Sequence, residues 1–288
     1  MFEGVIPAMV TPFKEDFSVD YEGIARNLDY LEKYVNAVVP AGTTGEAATL
    51  SYEEHIEVVR YVAETSKLPV IGGSGSNSTR EALYLTKEVE KAGADAAMLV
   101  TPYYNKPNQE GLYQHYKTVA SEVSIPIVIY NVPSRTGINT SPELVRRLAE
   151  IDNIVAIKEA SGNLKQISEI IRSTPDDFVV LSGDDFFTLP VLCLGGKGVI
   201  SVAANVAPHL MKEMYEAFKE GNMKKATQMH HKLTPLFDVL FIDTNPIPVK
   251  KALELMGLAA GKPRLPLIEL SEEKTEKVRQ VLRSLELI

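Results

Sequence analysis

A lysine at the end of an apolar run is the residue of this chain best suited to covalent chemistry. In the run IVAIKEA, a β-strand would place Ile154, Ala156 and Lys158 on one face, because side chains alternate along a strand. If that face is buried, desolvation disfavours the ammonium, lowers its pKa and makes the amine nucleophilic. The alternative is a structural lysine that pairs with Glu159 or reaches solvent from the strand end. Position alone leaves both interpretations open.

Hydroxyl and guanidinium groups follow two other apolar runs. In AVVPAGTTGEAATL, two glycines permit a tight turn, and Thr43 and Thr44 between them offer hydroxyls and amides for a small carboxylate or a proton relay. In PIVIYNVPSRTG, Tyr130 lies at the end of the run and Arg135 follows it, where a guanidinium could clamp a carboxylate. A plain loop, a core tyrosine and a surface arginine are the corresponding structural alternatives.

Three more runs end in residues that could line a site. Tyr103 and Tyr104 in TPYYNKPNQEG are either ordinary aromatic packing or an interface anchor. Gly183 in SGDD and Ile200 in GVISVAAN would line the same mouth by backbone and apolar contact. The five histidines show no zinc-ligand spacing and the acidic residues no clustered metal signature, so we predict no metal.

All these positions follow members of one repeated pattern of short, β-branched-rich runs. The runs are VIPAMVT, AVVPAG, PVIGGSG, AAMLVTP, PIVIYN, IVAIKEA, FVVLSG and GVISVAA. Most gaps between them hold a charged segment with helical spacing, which indicates alternating strands and helices and a parallel sheet. Eight such units predict a closed TIM (β/α)8 barrel, whose active sites lie at the carboxyl ends of the strands. An open doubly wound sheet is the structural alternative.

The helical segments carry their own start signals. The predicted N-cap residues are Asp20, Ser51, Ser78 or Thr79, Ser141 and Asn163. Glu54, three residues after Ser51, predicts a capping box. These signals place helices in the gaps that a barrel requires.

The pattern changes after Ala204, where no further β-like run occurs. Segments 207–220, 223–240, 246–257 and 272–286 all have helical spacing, and the first of them would be the eighth helix of the barrel. We therefore predict a catalytic barrel over residues 1–221 and a C-terminal helical domain over residues 222–288.

Composition excludes several classes of protein. The 288 residues carry a formal net charge of −8, so the surface as a whole should repel nucleic acid and anionic lipid. The start of the chain lacks the pattern of a secretory leader, and the single Cys193 cannot form an internal disulfide. No apolar stretch has the length of a spanning helix. We predict a cytoplasmic protein without a nucleic-acid or membrane partner.

Seven motifs together resemble the dihydrodipicolinate synthase family over essentially the whole chain. They are GTTGEAATL, TPYYNKPNQEG, YNVPSRTG, IKEASGNL, LSGDD, GVISVAANV and NPIPVK, in that order. The resemblance implies a TIM barrel with a C-terminal helical domain, assembled as a homotetramer. It also implies an aldolase-like condensation of pyruvate with L-aspartate 4-semialdehyde in the diaminopimelate route to lysine, without an external cofactor.

The resemblance also implies roles for single residues. Lys158 would form a Schiff base with pyruvate, while Tyr130, Thr43 and Tyr104 would relay protons, with Tyr104 supplied by a neighbouring subunit. The residues that would contact the two substrates are Thr44, Arg135, Gly183 and Ile200.

Some family members are inhibited by lysine at a separate subunit interface. The matching positions are Ala47, Ala48, Tyr52, His55, Asn77, Glu81 and Tyr103. Ala47 and Tyr52 replace a serine and a histidine of the strongly inhibited pattern, so we expect weak feedback or none.

Two alternative functions stay open at this point. A pyruvate-dependent lyase of N-acetylneuraminate or 2-keto-3-deoxy sugar acids would use the same lysine, although Arg135 suits a carboxylate better than a hydroxyl chain. A non-catalytic barrel that binds a phosphate ligand would need no reactive lysine.

Overall fold

A single parallel sheet forms the centre of the computed structural model, which describes residues 2–288. Its strands are Gly4–Pro7 (β1), Ile71–Gly73 (β2), Ala96–Val100 (β3), Ile127–Asn131 (β4), Ile154–Glu159 (β5), Val179–Ser182 (β6) and Gly198–Ser201 (β7). They lie in the order β1-β7-β6-β5-β4-β3-β2, with every neighbouring pair parallel. Their carboxyl ends therefore meet at one end of the sheet.

The eighth apolar run, AVVPAG, closes this sheet without forming a regular strand. Val39 bridges Ala8 just after β1, and Val38 bridges Val70 just before β2, both in parallel orientation. Pro40 has no amide hydrogen, and the chain turns into a left-handed conformation at Ala41 (φ 52°), so the pairing ends after two residues. The prediction of a regular strand here is wrong, whereas the predicted α/β barrel is confirmed.

Helices alternate with the strands and cover the outside of the barrel. Up to β7 they are Tyr21–Leu31 (α1), Tyr52–Thr65 (α2), Thr79–Lys91 (α3), Gln109–Ala120 (α4), Pro133–Thr136 (α5), Pro142–Leu148 (α6), Leu164–Ser173 (α7) and Thr188–Cys193 (α8). After β7 follow Pro208–Lys219 (α9), Met223–Val239 (α10), Ile247–Leu255 (α11) and Glu272–Ser284 (α12). No strand occurs after Ser201 in the described residues, as predicted.

The predicted helix starts are confirmed by cap hydrogen bonds. The side chains of Asp20, Ser51, Ser78, Ser141 and Asn163 each accept from a backbone amide in the first turn. Ser51 and Glu54 form the predicted reciprocal capping box. The sequence signals therefore fix where each helix begins.

Two apolar clusters divide the core. A small cluster contains alternate residues of the strands, among them Ile6, Val128, Tyr130, Ala156 and Ile200, and fills the inside of the barrel. The larger cluster packs the opposite faces of the strands against the helices, including α9, α10 and α12. Alternation along a strand thus decides which side chains face the interior. The exception is Ile154, which was predicted to share the face of Ala156 but lies in the larger cluster, because a bulge at Val155 shifts the register of β5 against β4. None of the helices within residues 2–288 is long and apolar enough to cross a membrane.

Candidate active site

Lys158 lies inside the barrel, beside Tyr130. The two residues are register partners on β5 and β4, so their side chains lie on the same face. The Lys158 Nζ atom lies 4.1 Å from the centre of the Tyr130 ring, and only 5% of Lys158 is exposed. Glu159 points to the opposite face, where its carboxylate accepts hydrogen bonds from the Asn131 and Gln166 side-chain amides at 2.8 and 3.2 Å. A structural pair between Lys158 and Glu159 is therefore ruled out.

Burial makes Lys158 an unusually weak base. Desolvation lowers the pKa of its ammonium from 10.5 to about 7; the Asp185 carboxylate opposes the shift and the Arg135 guanidinium adds to it. No hydrogen bond or ion pair within residues 2–288 involves the Lys158 side chain. A substantial fraction of neutral amine is therefore present at neutral pH, as a nucleophile requires.

Tyr130 supplies an acid-base group beside this amine. Burial raises the pKa of its phenol to about 12, while Arg135 and a hydrogen bond with the Thr43 hydroxyl oppose the shift. The phenol is therefore protonated at neutral pH and can donate a proton or pass one through Thr43.

The GTTGE turn brings Thr43 and Thr44 to the mouth of the barrel. The amides of Glu46 and Ala47 donate to the Thr43 and Gly42 carbonyls at 3.1 and 3.2 Å, and Glu46 adopts a left-handed conformation (φ 55°). The turn lies so close to β2 that a Cβ atom on Gly73 would stand 2.1 Å from the Ala41 carbonyl oxygen. Close packing of the turn against the backbone of β2, which Gly73 permits, thus holds the turn in place.

A buried ion pair holds the same turn from the C-terminal helices. The Lys250 Nζ atom lies 2.6 Å from the Glu46 Oε1 atom, with side-chain exposures of 2% and 1%. Lys250 also donates to the Thr11 and Lys262 carbonyls, at 3.2 and 3.3 Å, while the Arg264 amide donates to the other Glu46 oxygen at 2.9 Å. The NPIPVK motif signals Lys250, but nothing in the sequence predicts a partner about two hundred positions earlier.

Arg135 lies on the short helix α5 at the rim. Its Nη2 atom donates to the Asn245 carbonyl at 3.2 Å, and the Asn245 side-chain amide donates to the Thr44 hydroxyl at 3.0 Å. Asn245, which carried no predicted role, therefore connects two predicted substrate-binding residues. Only the folded chain shows this contact, because the partners come from three distant segments.

Gly183 and Ile200 lie at the ends of neighbouring strands. The Gly183 amide donates to the Glu159 carbonyl at 2.8 Å, and Ile200 is buried in the interior cluster. Asp185, another residue without a predicted role, joins these strand ends: its carboxylate accepts from the Val202 and Ala203 amides at 3.0 and 2.9 Å. Burial raises the pKa of Asp185 to about 6, so the group is ionised at neutral pH and is the acidic neighbour of Lys158.

A cavity of about 580 Å³ joins this mouth to the predicted effector residues. Thr43, Tyr130 and Arg135 line one part of it. The predicted effector residues that line the other part are Ala47, Ala48, Tyr52, His55, Glu81 and Tyr103. Asn77 does not line the cavity, and its carbonyl accepts from the Asn105 side chain at 2.8 Å.

Two of the polar side chains at the effector positions already have hydrogen-bond partners. His55 is buried, its Nε2 atom lies 2.6 Å from the Gly73 carbonyl, and burial lowers the pKa of its imidazole. The Glu81 carboxylate accepts from the Ser76 hydroxyl at 2.8 Å, and the Tyr52 ring packs edge-on against Tyr84.

Tyr104 lies on the outer surface of the chain. It is 89% exposed and adopts a left-handed conformation (φ 73°), which an aromatic residue rarely tolerates. Within one chain Tyr104 does not line the cavity. Residues 2–288 contain no group of three or more His, Cys, Asp or Glu side chains that could hold a metal ion.

The fold and site define an α/β barrel enzyme with a desolvated lysine at the carboxyl ends of its strands. The chain belongs to the dihydrodipicolinate synthetase family, whose sequence model matches residues 1–285. The family predicted from the motifs is thereby confirmed.

Individual relatives agree over their full lengths. A 4-hydroxy-tetrahydrodipicolinate synthase from Archaeoglobus fulgidus is 88% identical over 288 residues, which cover 100% of each chain. The dihydrodipicolinate synthase structure from Thermotoga maritima is 46% identical, with a TM-score of 0.98 and 100% of each chain covered. The chloride-inhibited enzyme from Acinetobacter baumannii, in complex with pyruvate, is 44% identical, with a TM-score of 0.97 and 100% of each chain covered.

Proposed function

We propose that this chain is a lyase, a 4-hydroxy-tetrahydrodipicolinate synthase, which condenses pyruvate with L-aspartate 4-semialdehyde. The observation that carries the mechanism is the buried Lys158 amine, with a pKa of about 7, beside the Tyr130 phenol. Family membership and the 88% identical synthase support the reaction, and the pyruvate complex of the A. baumannii structure supports the first substrate.

In the proposed mechanism, the neutral Lys158 amine attacks the keto carbon of pyruvate, and loss of water gives a protonated imine. The imine withdraws electrons, so that the methyl carbon loses a proton and becomes an enamine nucleophile. That carbon then forms a bond to the aldehyde carbon of the semialdehyde. The amino group of the adduct finally attacks the imine carbon, which closes the ring and releases Lys158. No external cofactor is required.

Proton transfers are assigned to Tyr130, because its ring packs against the Lys158 amine and its phenol can donate and accept a proton. Thr43 links Tyr130 to the turn, and Tyr104 would complete the relay from a neighbouring subunit of a homotetramer. The 89% exposure of Tyr104 supports this assignment, since so exposed an aromatic side chain is more typical of a subunit interface than of a surface in contact with water.

The two carboxylates are assigned to the rim. The buried Thr44 hydroxyl would bind the carboxylate of pyruvate, and the Arg135 guanidinium that of the semialdehyde. The Gly183 and Ile200 carbonyls would lie beside the second substrate. The Arg135 guanidinium and the protonated fraction of Lys158 give the mouth a local positive charge, although the chain as a whole carries −8.

We also propose a boundary between the barrel (1–221) and the C-terminal helices (222–288). Gly221, at φ 74°, ends the turn after α9 and supports this position. The reducing cytoplasm is the proposed location, in keeping with a single cysteine and acidic surface.

Borohydride reduction in the presence of pyruvate tests the central assignment. We expect a reduced pyruvate adduct on the Lys158 peptide in mass spectra, and none with Lys158→Ala. Absence of an adduct from the parent protein would overturn the Schiff-base mechanism. Faster turnover of sugar acids than of aspartate semialdehyde would overturn the choice of second substrate.

Feedback by lysine is expected to be weak. Ala47 offers no hydroxyl to an amino-acid effector, and the Nε2 atom of His55 already contacts Gly73. We expect turnover to be unchanged in submillimolar lysine, and half-inhibition in that range would contradict this assignment.

A further inference from the structure

We propose that Asn245 is a positioning residue that presents the Thr44 hydroxyl to the substrate carboxylate as a hydrogen-bond donor and holds Arg135 next to it. The inference rests on the proposed function, since it assigns Thr44 and Arg135 to carboxylates. Asn245 lies just before α11, outside the strand-and-helix repeat that forms the barrel.

Asn245 contacts both residues that are proposed to bind the substrate carboxylates. Its side-chain Nδ2 atom donates to the Thr44 Oγ1 atom at 3.0 Å, and its backbone carbonyl accepts from the Arg135 Nη2 atom at 3.2 Å. Asn245 and Thr44 are 5% and 2% exposed, and Asn245 lines the cavity. One residue thus links two groups that come from the β4 end and the GTTGE turn.

The direction of the hydrogen bond to Thr44 determines what Thr44 can do. A threonine hydroxyl carries one proton and two lone pairs. Because the Asn245 amide occupies a lone pair of Oγ1, the hydroxyl proton is left for another acceptor. A carboxylate oxygen is such an acceptor, so Asn245 prepares Thr44 to bind an anion before the substrate arrives.

Comparison with other buried amides separates this role from a purely structural one. Asn27, equally buried, uses both ends of its amide on the Ala259 backbone, at 2.8 and 3.2 Å. Asn205 likewise donates to Ala8 and accepts from Val10. Within residues 2–288, the Asn245 Oδ1 atom has no hydrogen-bond partner. A buried acceptor without a donor costs stability, so the contacts of Asn245 serve the site better than they serve the fold.

The surrounding segment holds Asn245 firmly. Five residues later, Lys250 forms its ion pair with Glu46, two positions after Thr44. The segment and the turn are therefore joined at two points, which fixes the distance between the amide and the hydroxyl.

The test measures the pyruvate concentration that gives half-maximal borohydride trapping at Lys158. We expect Asn245→Ala to raise that concentration about ten- to hundredfold, as for loss of a hydrogen bond to a charged group. Thr44→Val should have a similar effect, and the double variant should be no worse than the stronger single one. The KM for the semialdehyde should change less, because the backbone carbonyl of residue 245 remains and can still accept the hydrogen bond from Arg135.

Asn27→Ala is the matched control, since it removes an equally buried amide that also contacts the C-terminal segment. It should lower the thermal midpoint and leave half-maximal trapping unchanged. If Asn245→Ala does not fold, Asn245→Asp keeps the shape while replacing the donor by an acceptor, and it should weaken pyruvate trapping at least as much.

Two outcomes would overturn the inference while leaving the proposed function intact. The first is that Asn245→Ala reaches half-maximal trapping at the same pyruvate concentration as the parent. The second is that the fold-change in the double variant equals the product of the two single fold-changes, which would show that the two residues act independently. If the parent forms no adduct at all, the proposed function fails and the inference fails with it.

Discussion

Lys158 and Lys250 are both buried, and each ammonium lies over an aromatic ring, Tyr130 at 4.1 Å and Phe13 at 4.2 Å from the ring centre. Their polar partners differ. Lys250 contacts the Glu46 carboxylate and two backbone carbonyls, whereas Lys158 has no hydrogen-bond partner within residues 2–288. Burial lowers the pKa of both ammonium groups, but only at Lys250 does a carboxylate in direct contact oppose the shift.

The difference separates the lysine that is proposed to be reactive from a structural one. Desolvation of an ammonium is costly, and a contacting carboxylate offsets the cost by keeping the charge. Without such a partner, the group lowers its cost by giving up its proton, which leaves a nucleophilic amine. The same residue type, equally buried, can therefore do chemistry on β5 and hold a turn on α11.

Removal of the unpaired lysine should have the largest effect on activity. We expect Lys158→Met to lower kcat by more than about 10³-fold, as for loss of a nucleophile. Its thermal midpoint should equal or exceed that of the parent, because an uncompensated buried amine is replaced by an apolar chain of similar length. Steady-state kinetics and thermal unfolding check both parts, and a clear loss of stability would contradict the comparison.

Tyr130→Phe places a phenylalanine ring beside Lys158, as Phe13 already lies beside Lys250. Loss of the phenol hydroxyl removes the proton donor and acceptor, so turnover should fall about 10²- to 10⁴-fold while the pyruvate adduct still forms. Single-turnover kinetics and borohydride trapping separate these effects. If the variant turns over as fast as the parent, the relay assignment is wrong.

Lys250→Met should act first on stability, because Lys250 supports the GTTGE turn and is not among the groups assigned to the substrates. The change leaves the Glu46 carboxylate buried without its partner, which should cost about 3–5 kcal/mol in the free energy of unfolding. The double variant Glu46→Gln/Lys250→Met removes both charges and should recover much of the loss. Denaturant unfolding measures both. A single variant as stable as the parent would show that the pair contributes nothing to folding.

The pH dependence of pyruvate capture should report the unpaired lysine. The neutral amine fraction rises as the pH increases through the Lys158 pKa of about 7, so kcat/KM for pyruvate should fall about tenfold per unit below that value. Asp185→Asn removes the charge that raises this pKa, so the pH below which kcat/KM falls should become lower. If kcat/KM instead falls below a pH of about 10.5, the amine behaves as an ordinary exposed lysine.

The sequence predicts the framework of the site better than its connections. Alternation in IVAIKEA predicts one face for Ile154, Ala156 and Lys158, and the structure places Ala156 and Lys158 inside the barrel. The prediction is wrong for Ile154, which lies in the outer cluster because the register between β4 and β5 shifts by one residue at Val155. The closing segment shows a limit, because the apolar run AVVPAG predicts a strand while Pro40 and Ala41 end the pairing after two bridges. Asn245, Glu46 and Asp185 were not predicted, since each acts through contacts with residues distant in the chain.

By itself, the sequence determined where helices begin, which residues share a face along a regular strand, and to which family the chain belongs. Capping and alternation are local, so they can be read from neighbouring residues. Only the tertiary structure decided which buried lysine is paired and which is left alone, because the Glu46 carboxylate reaches Lys250 across 204 positions of chain. The proposed reactivity of Lys158 depends on the absence of such a partner within residues 2–288, and only the arrangement of the folded chain decides that absence.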